Sequence, residues 1–455
     1  PTMPASPAAR PSPSASGGGP AGGPGKRRKA LILGLGLLLV AGAGTGGWLL
    51  WGRDGHGGQA PAKKADRPVD AKLEWMAAVP NADKGDSERL GRPWFTGDKV
   101  VMPTKKDVTA YDATTGRTKW TVHLPGYACN RSPGTDGGVG VVVYGKQEFD
   151  CDMLMAVDLE HGREMWSRKL ADYTGKSQRF SDGNISVANG RITLSYVGDP
   201  MVYSVQGDPL RPYDYGCEER GTVVQGSHHL TLAQCDLFGR QFVMDVDPKS
   251  GLENWTWKVL DGLEVQNVLS VHPAVLTVGR DHDTEPSDIV SLDPDGRMNP
   301  LISASAGPYQ LSDCWKNDLT SCHSTVADGN TLYLATRDDR DNADGTRGNT
   351  VAAVDLATGK PRWTSDFGGS RVSRPVAMHD GHLLVYQQAT SDESGLLLSV
   401  DPANGKSSVL MRLPQESAER EYALARSGSA YFHDGHLYLV AYEVMGEHPM
   451  IMSFR

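Results

Sequence analysis

Side chains able to do covalent or metal chemistry are few in this sequence, and their spacing argues for structure more than for reaction. The six cysteines, Cys129, Cys151, Cys217, Cys235, Cys314 and Cys322, are an even set with no C-x-x-C, no adjacent pair and no Cys/His spacing of a closed zinc site. Oxidation to disulfides is the chemistry they suit. Neighbour pairing (Cys129 with Cys151, Cys217 with Cys235, Cys314 with Cys322) is expected, although six cysteines allow about 15 connectivities. The acidic run RDDRDNADG at 337–345 offers oxygens to a hard cation. Its Asp339, Asp341 and Asp344 do not fall at D-x-[DN]-x-[DN]-G, so a solvated hairpin loop accounts for it. His228 and His229 are adjacent on an alternating strand and face opposite sides, which argues against a shared metal. G-x-S-x-G, a P-loop and H-E-x-x-H are absent. No catalytic residue, cofactor ligand or metal ligand is assigned. The segment SDCWKNDLTSCHS at 312–324 holds Trp315 between two cysteines, either as a stapled exposed loop that touches a partner or as a packing loop. Asn184 opens N-I-S, formally a glycosylation sequon.

The elements that must position any site come from a repeat. The spacing D-x-x-x-G-x-x-x-W occurs at Asp112, Gly116 and Trp120, at Asp158, Gly162 and Trp166, at Asp247, Gly251 and Trp255, and at Asp355, Gly359 and Trp363. A fifth copy keeps Asp401 and Gly405 with Val409 in the Trp place, and a sixth keeps Asp293 with Gly296 shifted by one. Alternating apolar residues lead into each Asp, whose carboxylate can accept backbone N–H groups two residues on; the Gly supplies the positive φ of a bulged hairpin, and the Trp sits on the return strand. Upstream of these turns lies a second hairpin signal, Asp-Gly or Asn-Gly, at Asp328, Asp380, Asp434 and Asn189. One period therefore holds four strands. Asp112 and Asp158, Asp247 and Asp293, and Asp355 and Asp401 are each 46 residues apart, the period of propeller blades. A degenerate turn around Val205 supplies one more copy, and the 62 residues from Asp293 to Asp355 leave room for an extra loop. The chain ends one strand short after PMIMSFR, while LEWMAAVP near its start, with Trp75 in the repeat Trp position, is a return strand without a partner. The fold expected is all-β: an eight-bladed β-propeller of four-stranded antiparallel blades, closed by both termini.

The pattern A-x-D-x-x-T-G-x-x-x-W, seen as AVDLATGKPRW and nearly as AYDATTGRTKW, resembles the PQQ-like propeller repeat from about Lys72 to Arg455. Quinoprotein alcohol dehydrogenases share that repeat, as does a non-enzymatic propeller lipoprotein of outer-membrane assembly. The resemblance implies that Trp75, Trp120, Trp166, Trp255 and Trp363 pack between adjacent blades. Quinoprotein dehydrogenases also carry vicinal cysteines near the quinone, with Asp, Glu and Asn around calcium; this chain has no Cys-Cys, so no cofactor is expected.

Ahead of the propeller, residues 1–29 form a Pro/Ala/Gly-rich tail ending in Lys26, Arg27, Arg28 and Lys29, a composition that cannot offset chain entropy and should be disordered. Ala30 to Trp51 is an uncharged run long enough, at roughly 33 Å as a helix, to span a bilayer. Its flanking cations place the N-terminus in the cytoplasm and the rest outside, with Trp48 and Trp51 at the far interface. A cleaved signal peptide is the competing account, since AGAGTGG offers small residues at a cleavage position. Residues 52–70 read as a flexible tether, and 71–455 as the extracytoplasmic domain, cell-membrane-anchored by that single pass. From residue 52 on, 41 cations face 55 anions, a balance that excludes nucleic acid as a partner. The function expected is a binding scaffold for a protein or cell-envelope component. Two alternatives stand beside it: a quinoprotein-type dehydrogenase, and the exterior sensor of a receptor kinase with its cytoplasmic part upstream of Pro1.

Overall fold

The computed structural model describes residues 69–455 apart from 81–86, 148–149, 171–182, 196–199, 236–238, 281–282, 312, 316–317, 338–339, 342–346, 369–370, 391, 427 and 447. Clustering of backbone contacts divides the chain into Pro1–Lys64 and Ala65–Arg455, and all described residues belong to the second unit. The predicted tail, transmembrane helix and most of the tether lie outside the described residues. Among the described residues no helix is long and apolar enough to cross a membrane.

Eight blades of four antiparallel strands follow one another, one of them extended by a short fifth strand. Blade 1 runs outward as Trp94–Thr96, Lys99–Pro103, Asp107–Asp112 and Thr118–His123. Blade 2 starts at Tyr127–Arg131, blade 3 at Asn184–Ala188, blade 4 at Glu218–Gln225 and blade 5 at Glu264–Ser270. Blade 6 starts at Thr325–Asp328 and blade 7 at Ser373–His379. Blade 8 takes Gly428–His433, His436–Ala441 and Pro449–Phe454 from the C-terminus and its outermost strand, Leu73–Ala78, from the N-terminus. The pairing runs Leu73 to Phe454, Trp75 to Ser453 and Met76 to Met452, so the ring closes through both ends of the domain. First strands of blades 3 and 4, 5 and 6, 6 and 7, and 7 and 8 touch one another and line the axis.

Second strands are buried on both faces because each blade is sandwiched between two others. Val139–Gly145 and Thr331–Ala335 are buried at every residue, and they read as continuous apolar runs where an exposed sheet would alternate. Outermost strands such as Lys360–Ser365 stay half-exposed.

The repeat Asp and Gly build one turn at the blade rim. In blade 1 the Asp112 carboxylate accepts the N–H groups of Thr114 at 3.2 Å and Thr115 at 2.8 Å, and Gly116 N–H bonds back to the Asp112 carbonyl at 2.9 Å. Asp158, Asp247, Asp355 and Asp401 repeat this arrangement. Three of the other hairpins turn on two residues with positive φ, Asn189-Gly190, Asp380-Gly381 and Asp434-Gly435, the requirement of a type I′ turn, whereas the turn after Asp328 has only Gly329 at positive φ because Asp328 ends the strand.

Two elements depart from the expected layout. Val69–Asp70, assigned above to the tether, is a short parallel strand beside Ser407–Arg412, which moves the start of the domain two residues earlier. The helix Ala418–Ala425 links blades 7 and 8, held by the buried Glu421 carboxylate, which accepts the Gly395 N–H at 2.7 Å and the Ser417 hydroxyl.

Candidate functional site

The repeat residues lie at the rim, where the Gly and Trp of neighbouring blades form a clamp. A Cβ on Gly162 would sit 2.1 Å from the ring of Trp120, and one on Gly116 2.4 Å from Trp75. Gly296 faces Trp255 and Gly405 faces Trp363 in the same way, each Trp coming from the preceding blade. Trp166 lies under Gly207, in the degenerate blade 3, and Tyr213 takes the Trp place under Gly251. Gly359 meets only backbone and Ile302, because the outer strand of blade 5 has no aromatic residue. Indole N–H groups of Trp75, Trp166 and Trp363 donate across the junction to the carbonyls of Ala113, Val205 and Pro402, at 2.8, 2.9 and 2.9 Å. Trp120 Nε1 is buried without an acceptor. None of these residues lines a cavity.

The cysteines form Cys129–Cys151, Cys217–Cys235 and Cys314–Cys322. The last staples the link between blades 5 and 6, which folds inward instead of running over the rim. Asn267, fully buried in blade 5, donates its amide to the carbonyls of Trp315 at 3.0 Å and Asp318 at 2.7 Å. Leu319 N–H reaches Asn184 Oδ1 in blade 3 at 3.2 Å, and Leu319 fills the space left by Gly221 in blade 4. Asn184 is thus committed to the channel wall, its Nδ2 also donating to the Arg220 carbonyl at 3.0 Å.

This loop and the first strands enclose a cavity of about 640 Å³ at the axis. Its wall carries Arg89, Arg92, Arg131, Arg374 and Arg426 against Asp313, Asp318 and Glu443. Neutral donors hold all three acids: the His323 N–H on Asp313 at 3.0 Å, the Thr320 N–H on Asp318 at 2.9 Å, and the Ser87 hydroxyl on Glu443. The cations lack such partners. Among the described residues no ion pair reaches Arg92, Arg131, Arg374 or Arg426, and Arg92 Nη2 and Arg131 Nε are sealed from solvent with no acceptor. Burial lowers the Arg131 guanidinium to about 10, the field of Glu88 opposing it. His323 is held neutral, well below the usual imidazole range, by burial first and by Arg92 and Arg374 next. Its ring stacks on Tyr442 at 5.0 Å. At the mouth Arg89 lies 5.2 Å over the ring of Trp315, which is 50% exposed.

The other candidates stay apart. His228 stacks on His272 at 4.1 Å while His229 bonds to Asn189, so the pair has separate partners. In the acidic run, Arg340–Asp341 and Arg347–Gly348 form a two-stranded ribbon; most of what lies between falls outside the described residues. The arginines escaped sequence reasoning because each comes from a different element and no spacing joins them. The one available signal was cations in first strands of an acidic domain.

A family model described as outer membrane protein assembly factor BamB matches residues 65–257 and 347–444. The chain belongs to this family. Solved structures similar to this BamB-family propeller include BamB from Moraxella catarrhalis, at 14% identity over 83% of this chain and 98% of that one with a TM-score of 0.48. A europium-containing methanol dehydrogenase matches at 11% identity over 81% and 84%, TM-score 0.46, and the WD40 domain of Neurospora crassa Pan2 at 10% over 86% and 96%, TM-score 0.42. No curated protein sequence matches. Calcium needs several converging oxygens, and among the described residues no group of three or more His, Cys, Asp or Glu side chains could hold a metal. All six cysteines are spent on disulfides between positions well separated in sequence.

Proposed function

We propose that this chain is a non-enzymatic, extracytoplasmic binding scaffold, tethered to the membrane by residues 30–51, and that it meets a protein or cell-envelope partner at the mouth of its channel. One observation carries the reading: the repeat residues are consumed by turns and blade junctions, whereas the unpaired charge gathers at the axis around a stapled loop. Uncompensated cations lower stability, so their presence in a wall is the signature of a site that recognises something else. The family match supports the scaffold, since the protein it describes is an assembly factor.

The test incubates the full chain with PQQ and calcium, then measures retained cofactor and alcohol- or sugar-dependent dye reduction. No stoichiometric retention and no turnover are expected; retention with turnover would overturn the scaffold reading. Protease applied outside intact cells is expected to remove the domain from about residue 52 onward and leave the apolar span in the membrane. A mature protein starting near Gly46 would establish a cleaved signal instead.

A further inference from the structure

The channel cations point to a particular partner chemistry. Arg92, Arg131 and Arg374 come from blades 1, 2 and 7 or their entry segments, which flank blade 8, so the positive charge comes from separate elements along one arc of the ring. Arg92, Arg374 and His323 line the same cavity, and both guanidiniums act on the imidazole. Arg92 Nη2 and Arg131 Nε have no acceptor, and the wall holds more guanidiniums than carboxylates. Five arginines face three acids in the wall while the rest of the domain is acidic, and a net positive cavity within an acidic body focuses the field on anionic ligands.

A lone inorganic anion would meet only part of this surface in about 640 Å³, a volume that holds a ligand of many atoms. Several carboxylates in series match the dispersed guanidiniums better, since each planar fork takes one carboxylate in two parallel bonds. Exposed Trp315 with Arg89 over it adds a stacking platform at the mouth. We propose that the channel mouth is a receptor for an acidic peptide segment, with Arg92 and Arg374 as its principal carboxylate-binding residues and Arg131 beneath them. The proposal rests on the scaffold reading and names the partner's chemistry.

The experiment follows the fluorescence anisotropy of a labelled hexaglutamate peptide added to the full chain. Hexalysine serves as the control, and inorganic phosphate is assayed separately by thermal shift. Wild type is expected to bind hexaglutamate and not hexalysine, with affinity falling as salt rises. The R92Q/R374Q variant is expected to bind about tenfold more weakly or worse, and R92K/R374K to recover part of the loss. The basic run at 26–29 is common to all three proteins, so the difference between them reads the channel. Equal binding by wild type and R92Q/R374Q, with both folded by thermal melt, overturns the proposal. So does an Arg-dependent thermal shift with phosphate but no peptide binding, which would make the cavity a small-anion site. The PQQ and calcium assay separates the two readings: peptide failure without turnover sinks only this proposal, and turnover sinks the scaffold.

Discussion

The rim and the axis of this propeller are built on opposite rules. At the rim, the same Asp, Gly and Trp return in most blades, the Asp carboxylates taken up by turn N–H groups and the rings pressed on glycines that leave no room for a Cβ, with the indole N–H of Trp120 alone among the repeat tryptophans buried without an acceptor. At the axis nothing repeats. Arginines from different blades face the stapled loop between blades 5 and 6, and Arg92 Nη2 and Arg131 Nε go without acceptors. A structure that commits its repeat residues to turns and blade junctions and gathers arginines at the axis has separated stability from recognition.

The largest effect should come from opening the ring. Deleting Leu73–Pro80 removes the outer strand of blade 8 together with Trp75, whose ring packs on Gly116 of blade 1. Loss of closure exposes two blade faces at once, and the thermal transition is expected to fall sharply and lose cooperativity. An unchanged melt would show that the termini do not close the domain.

Single clamps come next. Trp363→Ala is expected to cost about 3 kcal/mol, the low end for a large aromatic, because the side chain is only partly buried. Gly162→Ala and Gly190→Ala form a matched pair in denaturant unfolding. Both glycines have positive φ, at 65° and 75°, but a Cβ at Gly162 strikes Trp120 whereas one at Gly190 meets nothing within 4 Å. Strain alone should cost about 1 kcal/mol at Gly190, and strain plus the clash about 3 kcal/mol at Gly162. Equal costs would show that the glycines serve the turn and not the clamp.

How much of this was legible follows from where the physics is local. The turns could be read because Asp, Gly and Trp act within nine residues of one another, and the closure because Trp75 stands in a strand with no partner in its own neighbourhood. Tyr213 was hidden by a change of residue type that preserves an aromatic face over Gly251. Two residues at Val69–Asp70 carry too little pattern to announce a strand, and their parallel pairing depends on a distant edge. Arg92, Arg131 and Arg374 were illegible because only ring closure brings them to one cavity.

Smaller effects sharpen the contrast. C314S/C322S opens a loop of eight residues, so its thermal cost should be modest, about 2 kcal/mol, while hexaglutamate binding weakens because the loop forms one wall of the cavity. Unchanged binding would remove the loop from the site. The smallest effect concerns acid. Lys119 and the Thr115 N–H and hydroxyl hold the Asp112 carboxyl at about 2, against an ordinary 3.8. A depressed acid stabilises the fold above its unfolded value, so this contribution is present above about pH 4 and is lost as pH falls through 2. Asp112→Asn should flatten that part of the melting-temperature profile between pH 4 and 2.

The most direct measurement records melting temperature and hexaglutamate affinity on one pair of full-chain variants, Gly162→Ala and R92Q/R374Q. The rim variant is expected to lose about 4 °C while its folded form keeps the wild-type affinity within twofold. The axis variant is expected to hold or raise its melting temperature, since it removes uncompensated cations, and to lose binding by tenfold or more. An axis variant that melts as early as the rim variant and binds the peptide as well as wild type would contradict the division of labour.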